Sequence, residues 1–270
     1  MDGMTSSVFY EKREGVPRFT ATEFQKRNKD YVVLIPVINE GERIRAELAR
    51  AAAHHISDQA DLVLCDGGST DGSTEAEGLK ALSVNSLLVK QDEGKQAAQL
   101  RMGFFWALQR GYRGIITIDG NNKDSIEDVP CFMEKLQEGY DFVQGSRFVP
   151  GGRAIHTPWI RLVSVRLIHA PVISLTARHW FTDTTNGFRA YSGRYLKDER
   201  VQPLRDVFMT YELLAYLSVR ASQLGMRVCE VPVTRAYPAA GKTPTKISFF
   251  KGNADLMKIL LKNAVGAYRP

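Results

Sequence analysis

An apolar run, Gly114-Ile115-Ile116-Thr117-Ile118, ends abruptly in Asp119-Gly120-Asn121-Asn122-Lys123-Asp124. In an open α/β sheet, ligands bind beyond the carboxyl ends of the strands. A carboxylate and amide oxygens at such a tip suit a hard cation and the phosphates it would hold. Comparable polar tips follow other apolar runs: Asn39-Glu40 after Tyr31 to Val37, Asp66-Gly67-Gly68-Ser69 after Asp61 to Cys65, and Ser146-Arg147 after Tyr140 to Gly145. The Asp66 carboxylate suits a base N–H pair or two ribose hydroxyls; it equally suits capping the helix that follows. Lys95, beside Gly94, starts a helix and reaches either a phosphate or water. Arg147 matches a phosphate in a two-pronged way, or forms a salt bridge with a neighbouring carboxylate.

The elements that must position these residues are legible from periodicity. Tyr31 to Val37, Asp61 to Cys65, Ser86 to Val89, residues 114–118 and Tyr140 to Gly145 read as buried strands. Helices are predicted over Arg43 to His54, Gly94 to Arg110, Glu127 to Glu138 (with Pro130 in its first turn) and Val207 to Leu224. Strands alternating with helices at this spacing predict βαβ units and a mainly parallel sheet, an α/β fold with all four polar tips on one rim. Met226 to Val233 reads as a late strand near a sheet edge, because Pro232 cannot donate to the ladder. Pro158 to Phe181 is long, aromatic and basic, with a break or kink expected at Pro171. It is either a pair of core-packing helices or an amphipathic pair on a membrane face.

The chain has 270 residues, 44% hydrophobic and 24% charged, ordinary for a globular protein with a sizeable core. Its net charge of +6 admits a polyanionic partner. From Arg235 onward seven Lys/Arg stand against one acid, Asp255. This late excess, with no accompanying motif, argues against a nucleic-acid module. Cys65, Cys131 and Cys229 share no metal spacing and are expected to be reduced, buried thiols of a cytoplasmic protein. No secretory signal and no membrane-spanning run is expected.

The ordered set Ile35-Pro36-Val37-Ile38-Asn39-Glu40, Asp66-Gly67-Gly68-Ser69-Thr70-Asp71, Gly94-Lys95-Gln96-Ala97-Ala98, Asp119-Gly120-Asn121, Gly145-Ser146-Arg147-Phe148 with Gly151-Gly152, and Thr185-Asn186-Gly187-Phe188-Arg189 resembles family 2 glycosyltransferases of the GT-A fold. Within them it is most similar to the dolichol-phosphate mannose synthase, or polyprenyl-phosphate glycosyltransferase, type. Glu230-Val231-Pro232-Val233 with Arg235 resembles that group's closing strand. The resemblance implies a UDP- or GDP-sugar donor, Mg2+ or Mn2+, and inversion at the anomeric carbon. It implies that Pro36, Asn39, Glu40, Asp66, Gly68, Lys95, Gly120 and Arg147 serve the donor. Asp119 and Asn121 correspond to an Asp-x-Asp metal motif. Asp183, Arg189, Arg235 and, more weakly, Glu212 fall on the sugar and acceptor side. Asp119, Asp183 and Arg147 are the catalytic candidates, Asp183 as general base if the acceptor is a hydroxyl. The pattern departs at Asn121, which brings a carbonyl oxygen but no charge, and at Lys123. Either Asp124 swings in as a second carboxylate, or Lys123 neutralises part of the diphosphate and the metal binds weakly.

The expected organisation is an arm over 1–29, a transferase domain over 30–250 and a basic helix over 251–270. The acceptor implied is a polyprenyl phosphate at an anionic membrane surface, with peripheral attachment on the cytoplasmic side; self-association is compatible with all of this. Two other readings stay open: a soluble transferase to a glycan, small molecule or protein, and a non-catalytic nucleotide-sugar-binding protein.

Overall fold

Alternation along the central strands decides the architecture. In Tyr31–Val37, Val32 and Leu34 enter one apolar core while Val33 and Ile35 enter a second on the opposite face. A strand buried on both faces is the signature of a parallel sheet covered by helices on each side. The computed structural model describes residues 5–239 and 249–270, and the side chains of all of these except 249–254.

The strands are β1 (Ser6–Tyr10), β2 (Phe19–Glu23), β3 (Tyr31–Val37), β4 (Asp61–Asp66), β5 (Ser86–Lys90), β6 (Gly114–Thr117), β7 (Phe142–Ser146), β8 (Arg153–Ile155), β9 (Arg189–Ser192), β10 (Val228–Pro232) and β11 (Thr234–Ala236). The helices are α1 (Glu42–Ala53), α2 (Ala76–Ala81), α3 (Gln96–Gln109), α4 (Val129–Gln137), α5 (Trp159–Ser164), α6 (Ala170–Ala177), α7 (Gly193–Lys197), α8 (Glu212–Gln223) and α9 (Phe249–Ala264). One sheet of nine strands runs in the order β1-β2-β5-β4-β3-β6-β9-β7-β10, and β8 pairs with β11 beside it. The strands β5, β4, β3 and β6 are parallel neighbours, as are β7 and β10. The tips after β3, β4, β6 and β7 therefore share a rim. Helices α1 and α4 cover one face through Ile44, Leu48, Val129 and Phe132. Helices α3, α6, α8 and α9 cover the other through Leu100, Ile173, Leu217 and Ile259.

The structure corrects four expectations. The arm over 1–29 carries β1 and β2, which extend the sheet antiparallel to β5, with Phe19 and Ala21 fully buried. A short strand, β9, runs antiparallel between β6 and β7; its four residues lie between two polar loops and present no periodic run. Trp159–Ala177 is one helix rather than a pair. A π-helical turn, Val165–His169, directly precedes Pro171 and takes up the disruption expected there. This helix is long and apolar enough to cross a membrane by length and composition, but it packs against α8 and α9 on one side. Of the cysteines, Cys65 is buried but Cys131 is exposed. The edge position of β10, with Pro232 at its end, is as expected. Of the late basic residues, Lys242, Lys246 and the side chain of Lys251 lie outside the described residues.

Candidate active site

The tip of β6 is set by close packing. Ile118 N donates to Leu34 O, holding the chain against β3 as it leaves the sheet. A Cβ on Gly120 would lie 2.5 Å from Val37 Cγ1, so only glycine fits. Asn121 N then donates to Asp119 O (2.8 Å) and Asn122 turns left-handed (φ 56°). The Asn122 amide donates to Glu47 Oε2 of α1 (2.7 Å), which fixes this turn. The turn leaves Asp119 and Asn121 partly open and sends Lys123 and Asp124 inward, 7% and 0% exposed. Gln96 Nε2, at the start of α3, donates to Asp119 Oδ1 (2.8 Å), and Arg235 Nη2 approaches Oδ2 (3.3 Å). Gly187 closes over the same carboxylate: a Cβ there would be 2.6 Å from Oδ1.

A cavity of about 920 Å3 opens at this tip. Its walls bring together Pro36, Glu40, Lys95, Asp119, Gly120, Asn121, Arg189 and Arg235 of the expected residues, and add Gln96, Lys123, Arg161 and Tyr211. Toward α5, α6 and α9 the lining turns apolar through Ile160, Val165, Ile173, Leu214, Leu256 and Ile259. Beyond it lie Trp159, Leu167, Leu175 and Trp180, each 68% exposed or more.

Other expected residues lie outside these walls, for definite reasons. The Asp66 carboxylate accepts from the amides of Gly68 and Ser69 and from Ser69 Oγ, so it caps its own turn and is 2% exposed. Asn39 Oδ1 accepts from Thr70 N, tying the β3 and β4 loops together. Glu212 accepts from the amides of Met209 and Thr210 and caps α8. Arg189 lines the cavity, but its guanidinium donates to the carbonyls of Thr184, Asn186 and Leu214 and to Ser218 Oγ, a structural clamp. Arg147 and Asp183 form a two-pronged pair, Nε to Oδ2 2.6 Å and Nη2 to Oδ1 2.9 Å, with side chains 2% and 0% exposed. Burial favours the neutral acid, but the guanidinium outweighs it and holds the Asp183 carboxyl below its ordinary pKa. Asp183 therefore faces Arg147 and not the cavity, which removes it from the position of a general base.

Arg235 bridges Asp119 and Asp124. Burial works against its charge, yet the two carboxylates outweigh this and hold it protonated. Asp124 is thereby turned away from the cavity and does not swing in as a second carboxylate beside Asp119. Glu47 is fully buried, which raises its carboxyl well above the ordinary range. Tyr237 gathers Lys123 (5.1 Å from the ring), Arg161 (5.7 Å) and Arg235 (5.8 Å), and accepts from Arg161 Nη1 at 2.8 Å. Sequence reasoning passed over Glu47, Gln96, Arg161 and Tyr237. Glu47 had a signal: it shares the inward stripe of α1 with Ile44, Leu48 and Ala51.

The donor set fits a divalent ion held jointly with a ligand. Asp119 offers a carboxylate, 21% exposed, and the buried Asn121 Oδ1 has no hydrogen-bond partner among the described residues. No group of three His, Cys, Asp or Glu is gathered among those residues. Mg2+-like ions are commonly bound by one or two carboxylates and complete their shell with phosphate oxygens and water.

The chain is similar to several characterised proteins. It is 29% identical over 240 residues to a polyprenol monophosphomannose synthase of Mycolicibacterium smegmatis, covering 84% of each chain. To an undecaprenyl-phosphate mannosyltransferase of Micrococcus luteus it is 30% identical over 207 residues, covering 75% of this chain and 82% of the relative. In three dimensions it matches glucosyl-3-phosphoglycerate synthase from Mycobacterium tuberculosis in complex with UDP, at a TM-score of 0.62 and 15% identity, covering 87% and 80% of the two chains. The same enzyme has also been crystallised with Mn2+, UDP and phosphoglyceric acid (TM-score 0.61, 14% identity, covering 89% and 84%). These folds are GT-A, as the sheet order and rim expected here require. The profile described as "Glycosyl transferase family 2" matches residues 32–199, and the chain, a glycosyltransferase, belongs to that family.

Proposed function

We propose that the protein transfers a sugar, with inversion, from a nucleotide-sugar donor to a polyprenyl-type phosphate at a membrane surface. One observation carries this reading: a single cavity joins a charged end at Asp119, Asn121, Lys123 and Arg235 to an apolar end at Ile160, Ile173 and Ile259, which leads toward exposed Trp and Leu side chains. A sugar diphosphate suits the first end and a prenyl chain the second. The relatives named for polyprenol and undecaprenyl-phosphate acceptors support it.

In this reading Pro36 and Glu40 border the nucleotide, and Lys95, exposed at the mouth, reaches a phosphate. A divalent cation, Mg2+ or Mn2+, would be held by Asp119 and the Asn121 carbonyl oxygen and supplies counter-charge to the diphosphate when bound. Gln96 and Gly187 lock the Asp119 carboxylate in place. Arg235 stands where negative charge develops on the departing nucleoside diphosphate, and fixed charge there lowers the barrier. A phosphate acceptor is already an anion, so its oxygen attacks the anomeric carbon without a general base. This agrees with Asp183 being engaged by Arg147. We assign Asp183 the task of holding Arg147 in place behind the site. The outward face of the 159–177 helix, with Arg166 and Arg178 near it, would rest on an anionic leaflet; each basic residue at such a surface contributes about 1 kcal/mol.

The test is to incubate the protein with radiolabelled UDP- or GDP-sugars and undecaprenyl or dolichyl phosphate in detergent, then extract into organic solvent. Label should pass to the organic phase, and the product linkage should be inverted relative to the donor. Transfer confined to water-soluble acceptors, or a retained configuration, would overturn the proposal.

A further inference from the structure

The charge at the β6 tip is unusual for the chemistry assigned to it. Where the family pattern has a second carboxylate, Asn121 contributes an uncharged oxygen; where it has a neutral polar side chain, Lys123 contributes an ammonium. The first change removes one negative charge and the second adds one positive charge. The tip is more positive by two units, the charge of one divalent cation.

The structure gives this count a location. Lys123 is 7% exposed and Arg235 6% exposed, and both line the charged end of the cavity. Both lie against Tyr237, which Arg161 also approaches. An aromatic face attracts cations without neutralising them, so Tyr237 gathers three positive groups while keeping their charge available. The carboxylates beside them are Asp119 and Asp124, both bridged by Arg235. Three cations thus stand against two acids. Burying an ammonium is costly unless an anion compensates it, and the shape of the cavity makes a bound diphosphate that anion.

We propose that Lys123, together with Arg235, is a built-in counter-charge for the donor diphosphate, so that this chain binds its donor without requiring a divalent cation. The inference rests on the nucleotide-sugar reading above. Asn121 keeps a ligand for the metal, and the metal then adds to an affinity that Lys123 already supplies. Lys123 acts here as a substrate-binding residue.

The experiment measures UDP and GDP binding by calorimetry, each in Mn2+ and in EDTA, for the wild type, Lys123→Gln, Lys123→Arg and the double variant Asn121→Asp/Lys123→Gln. Ligand-free melting curves establish that each variant is folded. In the wild type, EDTA should raise the Kd of the preferred diphosphate less than about fivefold. Lys123→Gln should weaken binding roughly 10- to 100-fold in EDTA, the range for a hydrogen bond to a charged group, and clearly less in Mn2+. Lys123→Arg should stay resistant to EDTA. The double variant should bind well in Mn2+ and lose more than roughly 50-fold in EDTA, two carboxylates now waiting for a cation. A wild type that loses binding in EDTA as the double variant does would overturn the role of Lys123 and leave the donor reading intact. An equal loss for Lys123→Gln in Mn2+ and EDTA would do the same. If neither diphosphate binds under either condition, the donor reading fails and this inference falls with it.

Discussion

Asp183→Asn separates two roles for a carboxylate that sits on the acceptor side of the family pattern. In the structure Asp183 Oδ2 accepts from Arg147 Nε (2.6 Å) and the Arg147 amide (3.3 Å), while Oδ1 accepts from Arg147 Nη2 (2.9 Å). The asparagine keeps the shape but leaves a guanidinium, 2% exposed, without its counter-charge. Removing one partner of a buried pair costs about 3–5 kcal/mol. At about 2–4 °C per kcal/mol for a chain of this size, the melting temperature should fall by roughly 6–20 °C at pH 7. The deficit should depend on pH in one direction. A carboxyl held below its ordinary value stabilises the fold above the unfolded-state pKa, 3.8, and loses that contribution as pH falls through the lower folded-state value. The gap between variant and wild type should therefore close in acid. Melting curves from pH 3 to 8, with lipid-phosphate transfer measured well below the melting point, make the assay. A positioning role predicts a large melting deficit and transfer reduced by less than about a hundredfold. A general base predicts the reverse, near wild-type melting with roughly 100- to 10,000-fold slower transfer. That second pattern would refute the assignment of Asp183 to Arg147.

Three further outcomes follow from named contacts. Gly187→Ala places a Cβ 2.6 Å from Asp119 Oδ1; Asp119 must shift, and transfer should drop about 100-fold with the fold intact by circular dichroism, since an ångström of misplacement costs that much. Gln99→Leu removes the amide that donates to Val37 O (2.7 Å) and Cys65 O (2.8 Å); two buried carbonyls lose their donor, and urea unfolding should show a loss of roughly 2–5 kcal/mol. Leu167→Glu with Leu175→Glu alters side chains 71% and 79% exposed; sedimentation with anionic vesicles should be lost while the melting temperature stays within about 2 °C, as for surface changes in general.

What the sequence made legible follows from how parallel sheets are built. Strands buried on both faces read as continuous apolar runs, so β3, β4 and β6 were plain, as was their common rim. Pro232 marked an edge because a missing N–H is tolerated there. The short strand β9 was not legible, since its pairing with β6 and β7 comes from residues far away in the chain. The direction in which each carboxylate turns was hidden for the same reason. Asp183 meets an arginine 36 residues earlier, and Asp124 meets one 111 residues later. Motif order places such residues near the rim, but which carboxylates are consumed within the protein is a tertiary fact. Asp66 is the exception: its partners are two and three residues away, and the capping alternative was open from the start.

Glu47 shows how a local signal and a distant one combine. Its spacing on α1 puts a carboxylate on the apolar stripe, a costly placement that calls for a partner. The partner is the amide of Asn122, in a left-handed turn that Asn tolerates better than most residues. That hydrogen bond sets the turn, and the turn decides that Lys123 points inward beside Tyr237 while Asn121 keeps its oxygen at the cavity. The two departures from the family pattern at 121 and 123 are therefore one structural unit, braced from α1. A tip that had merely lost a carboxylate would have no need to bury a lysine behind it. The bracing places a cation at the position where the loss of charge would be felt.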